Sequence, residues 1–241
     1  NTVGSQERDL LAAEEFRLTG YVTGRDTLYP GVLQIQAGEV LHLAATAKPS
    51  SFNTIRYARF MRQEYERSEE DLLRELTMAT DAAIGRLIDI ADGRHIVIPL
   101  SDGLDSRILA TKLVEWEYPN LIAYTYGRTG NAESGTSLNI ARSLGIPWHF
   151  IAFTNERWGR WSQHLQFREY LDFAHSLTSV PHIQDWPAVR ELTRSGVIPS
   201  GSVVIPGHSG DFTAGSHTLS QFMNRQSVPI LEVAHAIIER H

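Results

Sequence analysis

Two stretches of the sequence concentrate acids, hydroxyls and glycines directly after apolar runs. The first is Ser101-Asp102-Gly103-Leu104-Asp105-Ser106, which follows His95-Ile96-Val97-Ile98-Pro99-Leu100. An apolar strand that turns tightly into a helix leaves free backbone N–H groups and a partial positive charge at the helix start. Such a place suits an anion, above all phosphate. Ser101 and Ser106 can add hydroxyl donors. Asp105 can supply a hard oxygen ligand to a divalent cation that bridges phosphate oxygens. No lysine follows, so this is not the longer Gly-Lys-Ser/Thr phosphate loop. The second stretch is Val203-Val204-Ile205-Pro206-Gly207-His208-Ser209-Gly210-Asp211. It also runs from an apolar strand through a glycine-bearing loop to an acid. The first stretch alone could be a turn ahead of a helix and no more; the second weakens that reading.

The elements that must position these residues follow from periodicity. Ser68, answered by Asp71 three residues on, opens a helix that Gly93 ends. Its apolar positions are Leu72, Leu76, Ala79, Ala83 and Leu87. From there the pattern alternates: strand 95–100, helix 106–116, strand 121–126, helix 133–144 closed by Gly145 and Pro147, and strand 148–153. Residues 155–195 read as helical, with Pro187 near a helix start; 202–206 read as a strand and 228–241 as a helix. Alternation of this kind predicts one mostly parallel, doubly wound α/β sheet. Ligands of such sheets lie beyond the carboxyl ends of the strands, so Asp105 and Asp211 are expected to converge there. Upstream, residues 1–17 read as helix, and 20–24, 31–36 and 40–43 as short strands, with a turn at 36–39. The organisation expected is a β appendage over 1–45, a linker over 46–67 and the α/β domain over 68–241.

Composition bounds the function. The chain has 241 residues, 42% of them hydrophobic, which is enough for a core. Its 22 basic residues are outnumbered by 28 acids, for a net charge of -6, and this argues against general nucleic-acid binding. There is no cysteine, so disulfides, thiolate metal sites and a cysteine nucleophile are excluded from it. Ten histidines show no metal-ligand spacing; His164, His175 and His182 read as surface or core residues, and Trp158, Trp161 and Phe167 as core. No membrane span or signal peptide is evident, and a cytoplasmic location fits these features.

Ser101 to Ser106 resembles the Ser-Gly-Gly-x-Asp-Ser loop with which the ATP pyrophosphatases grip the pyrophosphate of ATP. The stretch from Ser202 to Asp211 resembles the Ser-Gly-x-Gly-Gly-Asp-Glu loop of the asparagine synthetase family, and the separation of the two loops is similar. Ala123-Tyr124-Thr125-Tyr126-Gly127 and Glu133-Ser134 resemble that family's second strand and the helix after it. The resemblance implies an adenine-nucleotide α-hydrolase-like, Rossmann-like domain with a small β remnant of a glutaminase domain before it. It implies ATP and magnesium as cofactors and a small carboxylate as substrate, activated as an acyl-adenylate and then amidated by ammonia. It places ATP against Pro99, Leu100, Ser101, Asp102, Gly103, Asp105, Ser106, Tyr126, Gly127, Pro206 and Gly207. Asp105 and Asp211 would hold the metal, and His208 would be the base. The family's glutamine-cleaving cysteine is missing and the sequence stops before its catalytic lysine, so the chain reads as a fragment, expected to bind ATP weakly and to form no amide alone.

Three departures bear on this. Asp102 replaces the first glycine of the pyrophosphate loop, His208 stands where the family often has Glu, and Phe212 replaces the Glu after the metal-binding Asp. Asp102 and Phe212 favour a competing reading, a non-catalytic nucleotide-binding or assembly module. A third reading is another ATP pyrophosphatase, thiolating or tRNA-modifying. The sequence leaves the carboxylate, the nitrogen donor and a homodimer open.

Overall fold

In the computed structural model, residues 7–43, 52–59, 66–208, 220–222, 225 and 227–240 are described. The chain divides into two units, Asn1–Glu66 with Glu169–His182, and Arg67–Arg168 with Ile183–His241. Among the described residues no helix is long and apolar enough to cross a membrane.

The larger unit is a doubly wound parallel α/β sheet. Its elements are α2 (Glu69–Ala91), β3 (Ile96–Pro99), α3 (Leu104–Glu115), β4 (Leu121–Gly127), α4 (Ala132–Leu144), β5 (Trp148–Ala152), α5 (Asn155–Ser162), α7 (Asp185–Arg194) and β6 (Val203–Val204). A terminal helix α8 (Ile230–Arg240) follows, and α6 (Leu165–Ala174) lies between α5 and α7 in sequence. The four strands expected in one sheet are there, all parallel, in the order β5-β4-β3-β6. Ile96, Val97 and Ile98 are fully buried, as the unbroken apolar run of a central parallel strand requires. Their side chains go to opposite faces. Ile96 and Ile98 pack with Ile84, Ala110, Leu113 and Ala141 of α2, α3 and α4. Val97, with Ile122 and Tyr124, packs against Ala188 and Leu192 of α7 on the other face.

Local signals set the helix ends. Ser68 accepts from the Asp71 N–H at 3.1 Å, and α2 stops at Asp92, in the left-handed region. Its apolar stripe is used only in part. Ile84 and Ala91 are buried, while Leu72 and Leu76 are exposed. Pro187 is the third residue of α7, where a missing N–H leaves no helical bond unmade.

In the smaller unit, α1 (Leu10–Thr19) is capped by Asp9 and ended by Gly20 at φ 81. The strands expected at 20–24 and 31–36 are not formed; one isolated bridge, Tyr21 to Ser179, stands in that region. Side chains take the carbonyls a ladder would need. The Thr27 hydroxyl bonds the Val32 carbonyl (2.9 Å), and the Gln34 amide donates to Val22 and Asp26 (both 3.1 Å). The turn at 36–39 and the strand after it are present: β1 (Glu39–Leu43) pairs antiparallel with β2 (Phe52–Arg56), a strand inside the stretch read as a linker. Glu39 fixes the pair, since its buried carboxylate meets Arg25 and Arg56 at 2.8 Å.

Candidate functional site

The strand order reverses between β3 and β6. From β3 the chain builds β4 and β5 on one side and returns to lay β6 on the other. Connections leaving a sheet at such a point diverge and open a crevice beyond the strand ends. Both loops singled out above leave the sheet there. They are also in contact: a Cβ on Gly207 would lie 2.6 Å from the Ser106 nitrogen and 3.0 Å from the Asp105 carbonyl carbon. Only a glycine lets the second loop rest on the first turn of α3.

The first loop is stapled by its serines. The Ser101 N–H donates to the Ser106 hydroxyl (3.1 Å), the two hydroxyls are 3.0 Å apart, and the Gly103 N–H donates to Ser101 Oγ (3.2 Å). Gly103 then caps α3 without a side-chain bond. By contrast α1, α2, α4 and α5 are capped by Asp9, Ser68, Asn131 and Thr154. α7, behind Gln184, also starts without a side-chain cap bond. Residues at the starts of both helices line the same cleft, and at α3 the helix start meets it without a capping side chain. Arg107 supports the loop from behind by donating to the Asp102 carbonyl (2.9 Å), and its Nε is buried with no partner among the described residues.

The cleft is about 490 Å3. Ten of the residues named from the sequence line it: Pro99, Leu100, Ser101, Gly103, Asp105, Ser106, Tyr126, Pro206, Gly207 and His208. Asp102 does not, because its carbonyl is turned to Arg107 and its side chain is exposed. Gly127 does not either; it ends β4 at φ 147, with Asn131 close against it. Asp211 and Phe212 lie outside the described residues; of the second loop, Pro206, Gly207 and His208 line the same cleft as Asp105.

The structure adds Tyr124, Thr125, Glu133, Gln184 and Asp185 to the lining. The Tyr124 hydroxyl donates to Asp185 at 3.1 Å. Burial, and then the charge of Asp185 and a hydrogen bond to it, push both the Tyr124 and Tyr126 phenols well above their ordinary range, so both remain protonated donors. Tyr126 stacks on Phe153, ring centres 4.9 Å apart. Tyr124 could have been found from the strand period, being two residues from Tyr126 and so on its face. Glu133 entered only with Ser134 as the start of the helix after that strand, and Asp185 carries no comparable signal.

Burial first, and then the nearby charge of Asp102, raise the Glu133 carboxyl above its ordinary 4.5. The native state therefore binds this proton more tightly than the unfolded chain does. The stability it contributes is full at pH below 4.5 and is lost as pH rises through the higher native value. Glu133→Gln, which cannot ionise, should lack this decline and gain on the parent protein as pH rises from about 4 to about 7. Urea midpoints across that range check it; parallel curves for the two proteins would refute it.

No protein-family model matches the chain, and neither does any curated protein. Among solved structures it is similar to the NH3-dependent NAD synthetase from Campylobacter jejuni subsp. jejuni NCTC 11168 in complex with the nitrate ion, at 15% identity and a TM-score of 0.33. The match covers 48% of this chain and 52% of that one, so the chain spans about half of its length.

Proposed function

We propose that the chain is an ATP-dependent carbon–nitrogen ligase of the ATP pyrophosphatase kind, one that activates a carboxylate in the manner of the asparagine synthetases. The observation that carries this reading is the seating of Gly207 on the uncapped start of α3, which joins the two loops into one cleft at the strand-order reversal. The free N–H groups there, with the Ser101 and Ser106 hydroxyls, would take the pyrophosphate end of ATP. The Gly207 N–H would meet the α-phosphate, and the end of β4 at Tyr126 and Gly127 would border the adenine. Residues 1–45 would belong to a glutaminase-type domain and 68–241 to the synthetase domain.

The carboxylate oxygen of the substrate attacks the α-phosphorus, the bond to the bridging oxygen breaks, and pyrophosphate leaves. Ammonia then attacks the acyl carbon, AMP leaves with the bonding pair, and the excess proton goes to His208. Among the described residues Asp105, Glu133 and Asp185 line the cleft while no lysine or arginine does, so a triphosphate there needs a divalent cation beside it. Asp105, with Asp211, would hold magnesium, which supplies charge neutralisation at the phosphates.

Calorimetric titration with ATP tests the reading. Saturable, magnesium-dependent binding is expected, and Ser106→Ala should weaken it about tenfold by removing a hydroxyl bond to a charged group. No binding by the parent protein would sink the proposal. Glu133, whose ionisation is disfavoured by burial and then by the nearby charge of Asp102, favours a second reading, a nucleotide-binding module without catalysis. Magnesium-dependent pyrophosphate release, when ammonium and aspartate are added, would rule that module out.

A further inference from the structure

The larger unit carries a second cleft, of about 300 Å3, which shares no residue with the first. Four arginines line it, Arg157, Arg160, Arg190 and Arg194, with Trp161 and Glu191 among them. The only carboxylates paired with these guanidiniums among the described residues are Glu156 and Glu191. Positive charge is thus in excess here, in a chain whose net charge is -6.

The four arginines are not equivalent. Arg190 is held: its side chain is 13% exposed, Nη1 meets Glu191 at 3.1 Å and Nε donates to Gln166 at 3.0 Å. Arg157 is also held, donating to the Ala152 carbonyl at 2.8 Å, with its guanidinium over the Trp161 ring. Arg160 and Arg194 are not. Their side chains are 69% and 64% exposed, and their carboxylate contacts, at 3.6 Å and 3.7 Å, are too long for hydrogen bonds. The Glu191 oxygen that Arg194 approaches already accepts from the Trp161 indole (3.2 Å) and from Arg190. Two guanidinium forks therefore stand at the mouth of a cationic cleft with their donors largely unspent.

We propose that this cleft binds the phosphate group of a small ligand, with Arg160 and Arg194 gripping its oxygens and Arg157 and Arg190 supplying the field behind them. Guanidinium forks match tetrahedral oxyanions in geometry and charge. Trp161 is only 6% exposed, so its ring is not offered to a nucleobase, and a nucleic-acid strand would find no stacking platform. The proposal does not depend on the ligase reading, since it uses none of that cleft's residues.

The test is calorimetric titration of the whole chain with inorganic phosphate and, separately, with glycerol phosphate, at an ionic strength held constant with chloride. Saturable binding is expected. The double variant Arg160→Gln, Arg194→Gln should weaken it tenfold or more while leaving the circular dichroism spectrum and the urea midpoint unchanged. Binding of both ligands assigns the site to phosphate itself. Binding of the ester alone assigns it to a phosphorylated small molecule. No binding of either overturns the proposal. So does full retention of binding in the double variant, which would put the anion in the other cleft.

Discussion

Gly207→Ala should lower affinity for ATP and magnesium more than about a hundredfold, the cost of misplacing groups that must meet a ligand together. The added methyl would sit 2.6 Å from the Ser106 nitrogen and 3.0 Å from the Asp105 carbonyl carbon and the Ser106 Cα. All three are backbone atoms of the first turn of α3, so no side chain can swing away to make room. Either the second loop lifts off or the start of α3 shifts, and in both cases the helix N–H groups and the Gly207 N–H no longer face one point. Stability should fall by about 1–3 kcal/mol, the usual cost of forcing a methyl into a packed site. The checks are ATP titration and urea unfolding of the same variant. Parent-like ATP affinity in a folded Gly207→Ala would mean that the contact between the loops is not what forms the site.

Thr125→Val should destabilise the protein by about 2–4 kcal/mol, although it conserves side-chain volume. The Thr125 hydroxyl is 4% exposed at the residue level and is a hub. It donates to the Leu100 carbonyl at 2.6 Å, accepts from the Trp148 indole N–H at 3.0 Å, and lies 3.0 Å from the Ser137 hydroxyl. Ser137 in turn donates to the Glu133 carbonyl at 2.7 Å, which ties β4 to α4. Valine would leave the buried Leu100 carbonyl and the half-buried Trp148 indole N–H without partners, each costing up to about 1–3 kcal/mol before relaxation. Leu100 is also the last residue before Ser101, so the same hydroxyl anchors the entrance of the 101–106 loop. Thr125→Ser keeps the hydroxyl and should cost less than half as much. Urea midpoints decide it: equal losses in Val and Ser would show that the methyl, not the hydroxyl, carries the effect.

These two positions mark how far the sequence could be read. Gly207 was legible as a loop glycine after a strand, yet nothing in the sequence says which backbone it must let approach. Thr125 sits in a strand where threonine is ordinary, and its three polar neighbours come from the residue after β3, from α4 and from β5. Sequence reasoning erred where side chains compete with the ladder. The segments 20–24 and 31–36 have the short apolar alternation of strands, but Thr27 and Gln34 take the carbonyls instead. It missed also the strand at 52–56, read as linker, which pairs with 39–43, where Glu39 meets Arg56 across the pair and Arg25 beside it.

The sequence by itself determined the strand-turn-helix units and hence the parallel α/β sheet. It also determined the two loops at the strand ends, because helix period, strand period, capping residues and turn glycines all act within a few residues along the chain. The tertiary structure decided what those local rules cannot reach. It placed β6 beside β3 and not at the far edge, which opened the crevice between the two loops. It brought Asp185 to the Tyr124 hydroxyl, a pairing 61 residues apart, and put Glu133 within the field of Asp102. It gathered arginines from α5 and α7 around one indole. Each of these depends on which faces of distant elements pack together. That choice is made by burial of apolar surface, a non-directional force that leaves no mark at the residues it juxtaposes.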